Sequence, residues 1–297
     1  MRVLVRRATE KPAIAVESAV LCSGLPIGRR DELVRRIRAA AGSAGAEACF
    51  VGVARGIPTV GLSEDELRRV AAGGVRKATT RELATAVAER ADAGTTVAAT
   101  LCLAERAGVR VVVTGGIGGV HRQRPERAPD VSADLWELAH TPAIVVSSGP
   151  KAVLNLAATL ERLESLGVPI VGYGTDECPA FWCRGSGIRL PDRADGPAPV
   201  VARWQAWRAL GRTAALLVFV PPPDGSAVAR AESERWVRDA LGELRESTLA
   251  GADVTPFLLE RIAQVSGGRS VEANLALLEH NARVAAEIAV QLEEVPG

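Results

Sequence analysis

Four glycines within five residues follow a branched aliphatic run that ends at Thr114. The stretch reads VRVVVTGGIGGVHR over residues 109–122, and its apolar part is typical of a buried strand. The exposed N–H groups of such a loop can bind one phosphate or carboxylate. A tight turn with positive φ angles explains the same glycines without a ligand, so both interpretations stay open. A dinucleotide loop is excluded because His121 replaces the third glycine of GxGxxG, and no Gly-Lys-Ser/Thr follows for a P-loop.

Two aspartates and a lysine come shortly after this loop. Asp130 and Asp134 flank Ser132 in the segment PDVSADL, and a second apolar run ends in VSSGPK, which delivers Lys151. Ligands of open α/β sheets gather at strand ends, where two carboxylates can hold a divalent cation such as Mg²⁺ or Mn²⁺. Turn formation and helix capping are the competing explanation for the two aspartates.

Lysine is rare in this chain. Among 36 lysines and arginines, only Lys11, Lys77 and Lys151 are lysine, so arginine occupies nearly every position that needs only a positive charge. A lysine amine can lose its proton and attack a carbonyl carbon, whereas a guanidinium stays protonated. Lys151 is therefore a candidate nucleophile, against the alternative of a solvated amine near a helix start.

The elements that must position these residues alternate between strand and helix. Strand-like runs cover residues 13–16, 49–53, 109–113, 143–146, 169–171 and 215–220. Helices are indicated by capping boxes at 63–66 and 79–82, by a proline at the first helical position after Thr255, and by an apolar stripe over about 270–293. This order predicts one domain over residues 1–297, a three-layer α/β/α sandwich with a central mixed, largely parallel sheet.

Composition argues against several classes of partner. A net charge of +1 and an aromatic content of 3% provide neither a basic footprint nor stacking platforms for nucleic acid. We find no apolar run of membrane-spanning length and no signal peptide, and therefore expect no membrane contact and a cytoplasmic protein. The five cysteines contain no CxxC pair, so we expect reduced, mostly buried thiols.

Long stretches of the sequence resemble the pseudouridine-5'-phosphate glycosidases. They are residues 15–26, 56–67, 75–83, 94–122, 130–142, 168–182 and 254–290, with motifs such as AVES, VRK, GTTVAAT, DVSAD and VEANLAL. The resemblance implies a metal-dependent homotrimer that reversibly cleaves the bond between C1' of ribose 5-phosphate and C5 of uracil. Because carbon is a poor leaving group, it also implies opening of the sugar ring and a Schiff base between C1' and a lysine.

The same resemblance assigns roles to individual residues. Lys151 matches the Schiff-base nucleophile, Glu17 matches the general acid/base, and Asp130 matches a ligand of Mn²⁺ or another divalent cation. The matching substrate-binding positions are Lys77, Val97, Thr114, His121, Ser132, Ala133, Asp134 and Asn274. The glycine loop is then expected to wrap the sugar phosphate with its backbone amides, helped by Thr114 and Lys77.

One segment departs from the family pattern. Family members usually read HGLPYP followed by asparagine, whereas residues 23–29 of this chain read SGLPIGR, and the usual NP becomes Val220-Pro221. If these positions face the leaving group, the acceptor differs from uracil. The alternative is then a synthase of C-nucleoside antibiotic pathways that joins ribose 5-phosphate to another nucleobase-like carbon nucleophile. A second alternative is an inactive phosphosugar-binding protein.

Overall fold

The computed structural model describes residues 3–122, 130–245 and 254–295, and the strands of this part form one central sheet. Branched aliphatic side chains dominate its middle strands, as expected for strands covered on both faces. The strands are β1 (Leu4–Val5), β2 (Ala13–Val16), β3 (Glu47–Ala54), β4 (Ile57–Val60), β5 (Arg76–Ala78), β6 (Ala93–Thr95), β7 (Val111–Val113), β8 (Ile144–Ser147), β9 (Ile170–Tyr173), β10 (Asp192–Ala194) and β11 (Leu216–Phe219).

The sheet is mixed and mostly parallel. Its main order is β1-β4-β3-β2-β7-β8-β11-β9-β10, while β6 pairs with β3 and β5 at one side. Only the β3–β4 and β3–β6 pairs are antiparallel among the described strands. The central neighbours β2, β7 and β8 all run in the same direction, so their carboxyl ends meet at one edge. That edge is where ligands bind in open α/β sheets.

Helices cover both faces of the sheet. Side chains alternate along each strand: Val111 and Val113 of β7 pack into one apolar cluster and Val112 packs into the other. One face is covered by α1 (Ile27–Ser43), α2 (Glu64–Ala71), α7 (Pro197–Ala209), α8 (Arg230–Arg245), α9 (Val254–Val265) and α10 (Arg269–Glu294). The other face is covered by α3 (Thr80–Ala88), α4 (Val97–Arg106), α5 (Ala133–His140) and α6 (Leu156–Ser165).

These layers confirm the predicted fold class. All six predicted strands are present, and the capping boxes before α2 and α3 form as expected. The predicted proline position is wrong: α9 begins at Val254, so Pro256 is its third residue. The five cysteines are free, as predicted, and Cys102 is the most accessible of them. No helix within the described ranges has the length and apolar character needed to cross a bilayer.

Candidate functional site

The carboxyl ends of three neighbouring strands bring the main candidate residues together. Glu17 directly follows β2, Thr114 directly follows β7, and Lys151 lies four residues after the end of β8. Backbone hydrogen bonds connect the last two segments, since the Lys151 N–H donates to the Ile117 carbonyl at 3.1 Å. Lys77 is the middle residue of the short strand β5. The structure therefore brings the two amines and the Glu17 carboxyl to the wall of one cavity.

Glu17 is a buried carboxyl held by a hydroxyl. Its residue is 4% exposed, and the Thr114 hydroxyl donates to its Oε1. Burial raises the pKa of Glu17, while the positive charge of Lys151 and the Thr114 hydrogen bond oppose that rise. A carboxyl whose pKa is raised toward neutrality can keep its proton and act as a general acid.

Lys77 is a largely buried amine beside Lys151. Burial lowers the pKa of Lys77, and the positive charge of Lys151 lowers it further. The carboxylates of Asp134 and Glu17 act in the opposite direction. Lys77 therefore stands close to a second amine as well as to the carboxyl of Glu17.

A buried asparagine forms hydrogen bonds with the segments that follow β7 and β8. Asn281 of α10 is fully buried, and its amide Nδ2 donates to the Thr114 carbonyl at 2.9 Å and to the Ser148 hydroxyl at 3.1 Å. Sequence reasoning missed this residue. The available signal was a polar residue inside the apolar stripe of a long helix, because a buried amide must find hydrogen-bond partners.

Close packing, and not backbone conformation, accounts for the glycines of the loop. None of the four glycines in residues 115–119 has a positive φ angle, so the positive-φ turn interpretation is wrong. A Cβ on Gly116 would lie 2.6 Å from the Phe181 ring, and a Cβ on Gly118 would lie 2.6 Å from Ser132 Cβ. Glycine is required there because the neighbouring chain segments approach too closely for any side chain.

Most of the loop amides already have partners. The Gly118 N–H donates to the Asp134 carboxylate at 2.8 Å. Four further N–H groups of the loop are also bonded within the protein: those of Gly116, Ile117, Val120 and His121. The prediction that the backbone amides wrap a phosphate is therefore wrong for these five groups, and side chains must provide most of the contacts.

The Asp134 carboxylate forms hydrogen bonds with two separate chain segments. Its residue is 4% exposed, and its two carboxylate oxygens accept from Ala98 N–H at 2.9 Å and Gly118 N–H at 2.8 Å. It therefore joins the glycine loop to the first turn of α4. The helix-capping explanation fits these contacts, and a direct substrate contact of Asp134 stays a prediction.

Two cavities meet at the lysines. The first, which we call the polar cleft, is open, has a cavity volume of about 360 Å³ and is lined by Lys77, Lys151, Thr96, His121, Asp130 and Ser132 among others. The second, which we call the apolar chamber, has a cavity volume of about 50 Å³ and is lined by Lys77, Lys151 and Glu17 together with Val20, Phe181, Leu259, Asn274 and Leu278. Both amines, Lys77 and Lys151, therefore border a polar space and an apolar one.

Two of the remaining predicted site residues line one of these cavities, and a third lines neither. Ala133, the first residue of α5, lines the polar cleft, and Asn274 lines the apolar chamber. Val97, the first residue of α4, lines neither cavity, and its side chain is fully buried in the core. Among the departures from the family pattern, Ser23 lines the apolar chamber, whereas Ile27 is exposed and Val220 is buried in the core.

Asp130 and His121 are the donors available to a cation. His121 Nε2 lies 3.9 Å from Asp130 Oδ2, and burial lowers the pKa of His121, which favours the neutral imidazole. The described ranges contain no cluster of three or more metal-ligating side chains. A carboxylate and a neutral imidazole beside an open cleft nevertheless fit Mn²⁺, which can keep water or substrate oxygens at its other positions.

An open α/β sheet that carries two amines and a buried carboxyl at its central strand ends defines a small-molecule site suited to lysine-dependent chemistry. Residues 2–291 match the family described as Indigoidine synthase A like protein, and the chain belongs to that family.

Named relatives support this assignment. The chain is 49% identical to a pseudouridine-5'-phosphate glycosidase of Gemmatimonas aurantiaca, over 95% of this chain and 91% of the relative. It is 43% identical to one of Myxococcus xanthus, over 96% and 95% of the two chains. The resemblance stated from the sequence is therefore confirmed, as is the prediction that the chain is an enzyme.

Two solved structures share the fold over nearly their whole length. An indigoidine synthase A-like protein of Thermotoga maritima superposes with a TM-score of 0.90 at 38% identity, over 98% of this chain and 97% of that one. The prealnumycin C-glycosynthase AlnA, solved in complex with ribulose 5-phosphate, superposes with a TM-score of 0.87 at 33% identity, with the same coverage. The family thus includes proteins named for breaking and for making C-glycosidic bonds.

Proposed function

We propose that this protein reversibly joins C1 of ribose 5-phosphate to a carbon of a nucleobase-like acceptor through a Schiff base on Lys151. The observation that carries the proposal is the position of Lys151 on the wall of both cavities, which Lys77 shares. The family resemblance distinguishes Lys151 as the nucleophile. One amine can therefore hold the sugar carbon while the two substrates occupy different spaces. With uracil as acceptor, the reverse reaction hydrolyses pseudouridine 5'-phosphate to ribose 5-phosphate and uracil.

The polar cleft suits the phosphosugar. Lys77 contributes positive charge, and Ser132 and Thr96 contribute hydroxyl groups to its wall. The apolar chamber suits a flat acceptor, because the Phe181 ring and aliphatic side chains form most of its wall. The C1 carbon then lies between the two, next to Lys151.

The synthetic reaction releases one water molecule for each C–C bond that is formed. In the synthetic direction, the unprotonated Lys151 amine attacks the aldehyde carbon of open-chain ribose 5-phosphate, and loss of water gives an iminium at C1. The acceptor carbon attacks the iminium and loses its proton. The sugar O4 then displaces the lysine amine as the ring closes. Cleavage follows the same steps in reverse and consumes one water.

Glu17 is placed to move the protons of these steps. Its protonated form can donate to the departing hydroxyl of the carbinolamine, and the resulting carboxylate can accept the proton of the acceptor carbon. The Thr114 hydroxyl holds the Glu17 carboxylate in place. Glu17 lines the apolar chamber with Lys151, so both proton transfers lie within reach of the acceptor side.

Asp130 and His121 would hold the divalent cation, for which Mn²⁺ is the predicted species. Such a cation supplies positive charge that binds and orients phosphate or hydroxyl oxygens of the sugar. Lys77 contributes positive charge to the same cleft. The metal and the homotrimeric assembly both stay predictions; sedimentation analysis of the purified protein tests the assembly.

Borohydride trapping tests the nucleophile. Wild-type protein incubated with ribose 5-phosphate and Mn²⁺ is expected to gain one pentose phosphate by mass spectrometry, and peptide mapping should locate it on Lys151. Lys151→Met should abolish the adduct, whereas Lys77→Met should weaken binding but keep it. Because the pKa of Lys77 is lowered, an adduct on Lys77 is the sharpest contrary outcome. No adduct in wild type would favour the inactive phosphosugar-binding protein.

A second candidate differs only in the acceptor. Ser23 stands where the family usually has histidine, and it lines the apolar chamber. This observation favours a synthase that uses a carbon nucleophile other than uracil in C-nucleoside formation, and AlnA shows that the family includes a C-glycosynthase. Product formation from ribose 5-phosphate and a panel of uracil, maleimide-like and aromatic acceptors separates the two. Efficient turnover of uracil would exclude this candidate.

A further inference from the structure

One side chain in the apolar chamber has its hydrogen-bonding polarity fixed by the protein. The indole Nε1 of Trp182 donates to Oδ1 of Asn274 at 2.6 Å. Both residues are buried: Trp182 is 0% exposed and Asn274 is 7% exposed. Asn274 lies in the first half of α10, and Trp182 lies in the loop between β9 and β10.

This bond decides which end of the Asn274 amide faces away from the indole. An indole N–H is a donor only, so it can be satisfied by the amide oxygen and not by the amide nitrogen. A rotated amide would place N–H against N–H in a buried environment, where an unmade hydrogen bond is costly. The Asn274 amide is therefore oriented by the structure and not by convention.

The Asn274 NH₂ group is left without a partner. Among the described residues, its Nδ2 forms no hydrogen bond within the protein, and the residue lines the apolar chamber. Nδ2 keeps some accessible surface, because it is not among the fully buried polar atoms that lack a partner. Val20, Leu259 and Leu278 form an apolar part of the chamber wall, while Glu17 and Ser23 contribute polar side chains elsewhere on it. A donor on a cavity wall that the protein leaves unpaired is available to an acceptor atom of a molecule bound in that cavity.

Trp182 is itself held firmly. Its ring packs against Phe181 at 5.1 Å between centroids and against Trp236 of α8 at 6.1 Å in an edge-on arrangement. Its carbonyl accepts from the Val228 N–H at 2.8 Å. The adjacent Phe181 forms part of the chamber wall, so one dipeptide supplies both an apolar surface and the group that orients Asn274.

We propose that Trp182 is a specificity-determining positioning residue: it holds Asn274 so that the chamber selects an acceptor with a carbonyl oxygen facing the amide NH₂. The inference rests on the proposed function, because it assigns the apolar chamber to the acceptor. It narrows the acceptor class to flat carbon nucleophiles that carry a carbonyl, and it disfavours those that present amino groups at that position.

A matched pair of probes tests this polarity. Uracil carries carbonyl oxygens at positions 2 and 4, and 2,4-diaminopyrimidine carries amino groups at the same positions of a ring of the same size. Their dissociation constants are measured by calorimetry on the Mn²⁺-loaded protein, at a pH where both probes are neutral. Wild type is expected to bind uracil about tenfold more tightly, the difference made by one buried hydrogen bond.

Three variants show whether Trp182 is responsible. Trp182→Phe removes the N–H and keeps an aromatic ring, and Asn274→Ala removes the amide; each should reduce the preference toward unity, and the double variant should reduce it no further. Trp236→Phe is the matched control, because it alters the same aromatic cluster without touching the Asn274 bond. It should keep the wild-type ratio. A general loss of stability lowers both affinities together and leaves the ratio unchanged.

The outcomes separate this inference from the proposed function. An unchanged ratio in Trp182→Phe, an absent preference in wild type, or failure of both probes to bind overturns the role of Trp182. Borohydride trapping with ribose 5-phosphate is run on the same samples and needs no acceptor. An adduct on Lys151 with no probe preference refutes only this inference, whereas a missing adduct refutes the proposed function.

Discussion

Removal of the Asp134 carboxylate should destabilise the protein strongly. Asp134 accepts two backbone N–H groups, from Ala98 and Gly118, at 2.9 and 2.8 Å in a buried position. A hydrogen bond to a charged group contributes about 1.5–3 kcal/mol. Asp134→Ala removes two such bonds and is expected to lower the free energy of unfolding by about 3–6 kcal/mol. Asp134→Asn keeps one acceptor oxygen, and should lose at least half as much.

Urea denaturation followed by circular dichroism measures this change, with the midpoint and the slope fitted separately. Asp130→Asn is the matched control, because the Asp130 side chain is 45% exposed and its Oδ2 lies 3.9 Å from His121 Nε2, beyond hydrogen-bond distance. The control should change stability by no more than about 0.5 kcal/mol. Asp130→Asn should instead reduce the increase in activity that added Mn²⁺ produces.

Unchanged stability together with impaired substrate binding in Asp134→Ala would refute the structural role of Asp134. If Asp134→Ala unfolds at the wild-type urea concentration while its KM for ribose 5-phosphate rises steeply, Asp134 contacts substrate and the two amide bonds contribute little. If stability and KM both change, Asp134→Asn distinguishes the roles, because it retains one backbone bond but loses the negative charge.

Three further predictions concern the same site. Thr114→Val removes a hydrogen bond to the ionised Glu17, so the Glu17 pKa should rise further and the limb of the kcat/KM–pH profile that reports Glu17 should move to higher pH, whether Glu17 acts as acid or base. Gly118→Ala should destabilise by about 1–3 kcal/mol in thermal unfolding, because its Cβ would lie 2.7 Å from Asp134 Oδ2. Gly242→Ala, a helical glycine with no atom within 4 Å of its Cβ, should stabilise by about 0.5–1 kcal/mol. Removal of divalent metal by a chelator should abolish turnover, and Mn²⁺ should restore it in wild type but poorly in Asp130→Asn.

Each of these has a contrary result. A Thr114→Val enzyme that is slower at every pH but keeps its limb in place would mean that the hydroxyl only supports the fold. Equal stabilities of Gly118→Ala and Gly242→Ala would mean that the loop can move aside. Full turnover after exhaustive chelation would remove the cation from the reaction.

Local sequence patterns are sufficient for the central strands and for Lys151, whereas Glu17 is indicated only by the family resemblance. Branched aliphatic runs bounded by glycine or proline predict β2, β7, β8 and β11, and Glu17 and Lys151 follow such runs closely. Their meeting point depends on parallel neighbours, which the alternation of strands and helices already indicates. The short strands β5 and β6 have three residues each and no usable alternation, so they were not predicted.

Contacts between distant segments could not be obtained in the same way. Asp134 and Ala98 are 36 residues apart, and Thr114 and Asn281 are 167 residues apart, so no local periodicity reports them. The glycine loop illustrates the consequence: its sequence is compatible with a phosphate cradle, a turn or close packing. Only the positions of Phe181 and Ser132 decide between them.

The shared wall of the two cavities makes this enzyme a good target for bisubstrate inhibitors. A sugar phosphate mimic and a flat carbonyl ring would each occupy their own space, and a short tether between them would pass beside Lys151. Linking two weak fragments makes the second binding event intramolecular and can strengthen affinity by a factor of about 10²–10⁴ when the tether matches the gap. A series of such inhibitors with the same sugar phosphate mimic and different rings could then be used to compare family members by the rings that each of them binds.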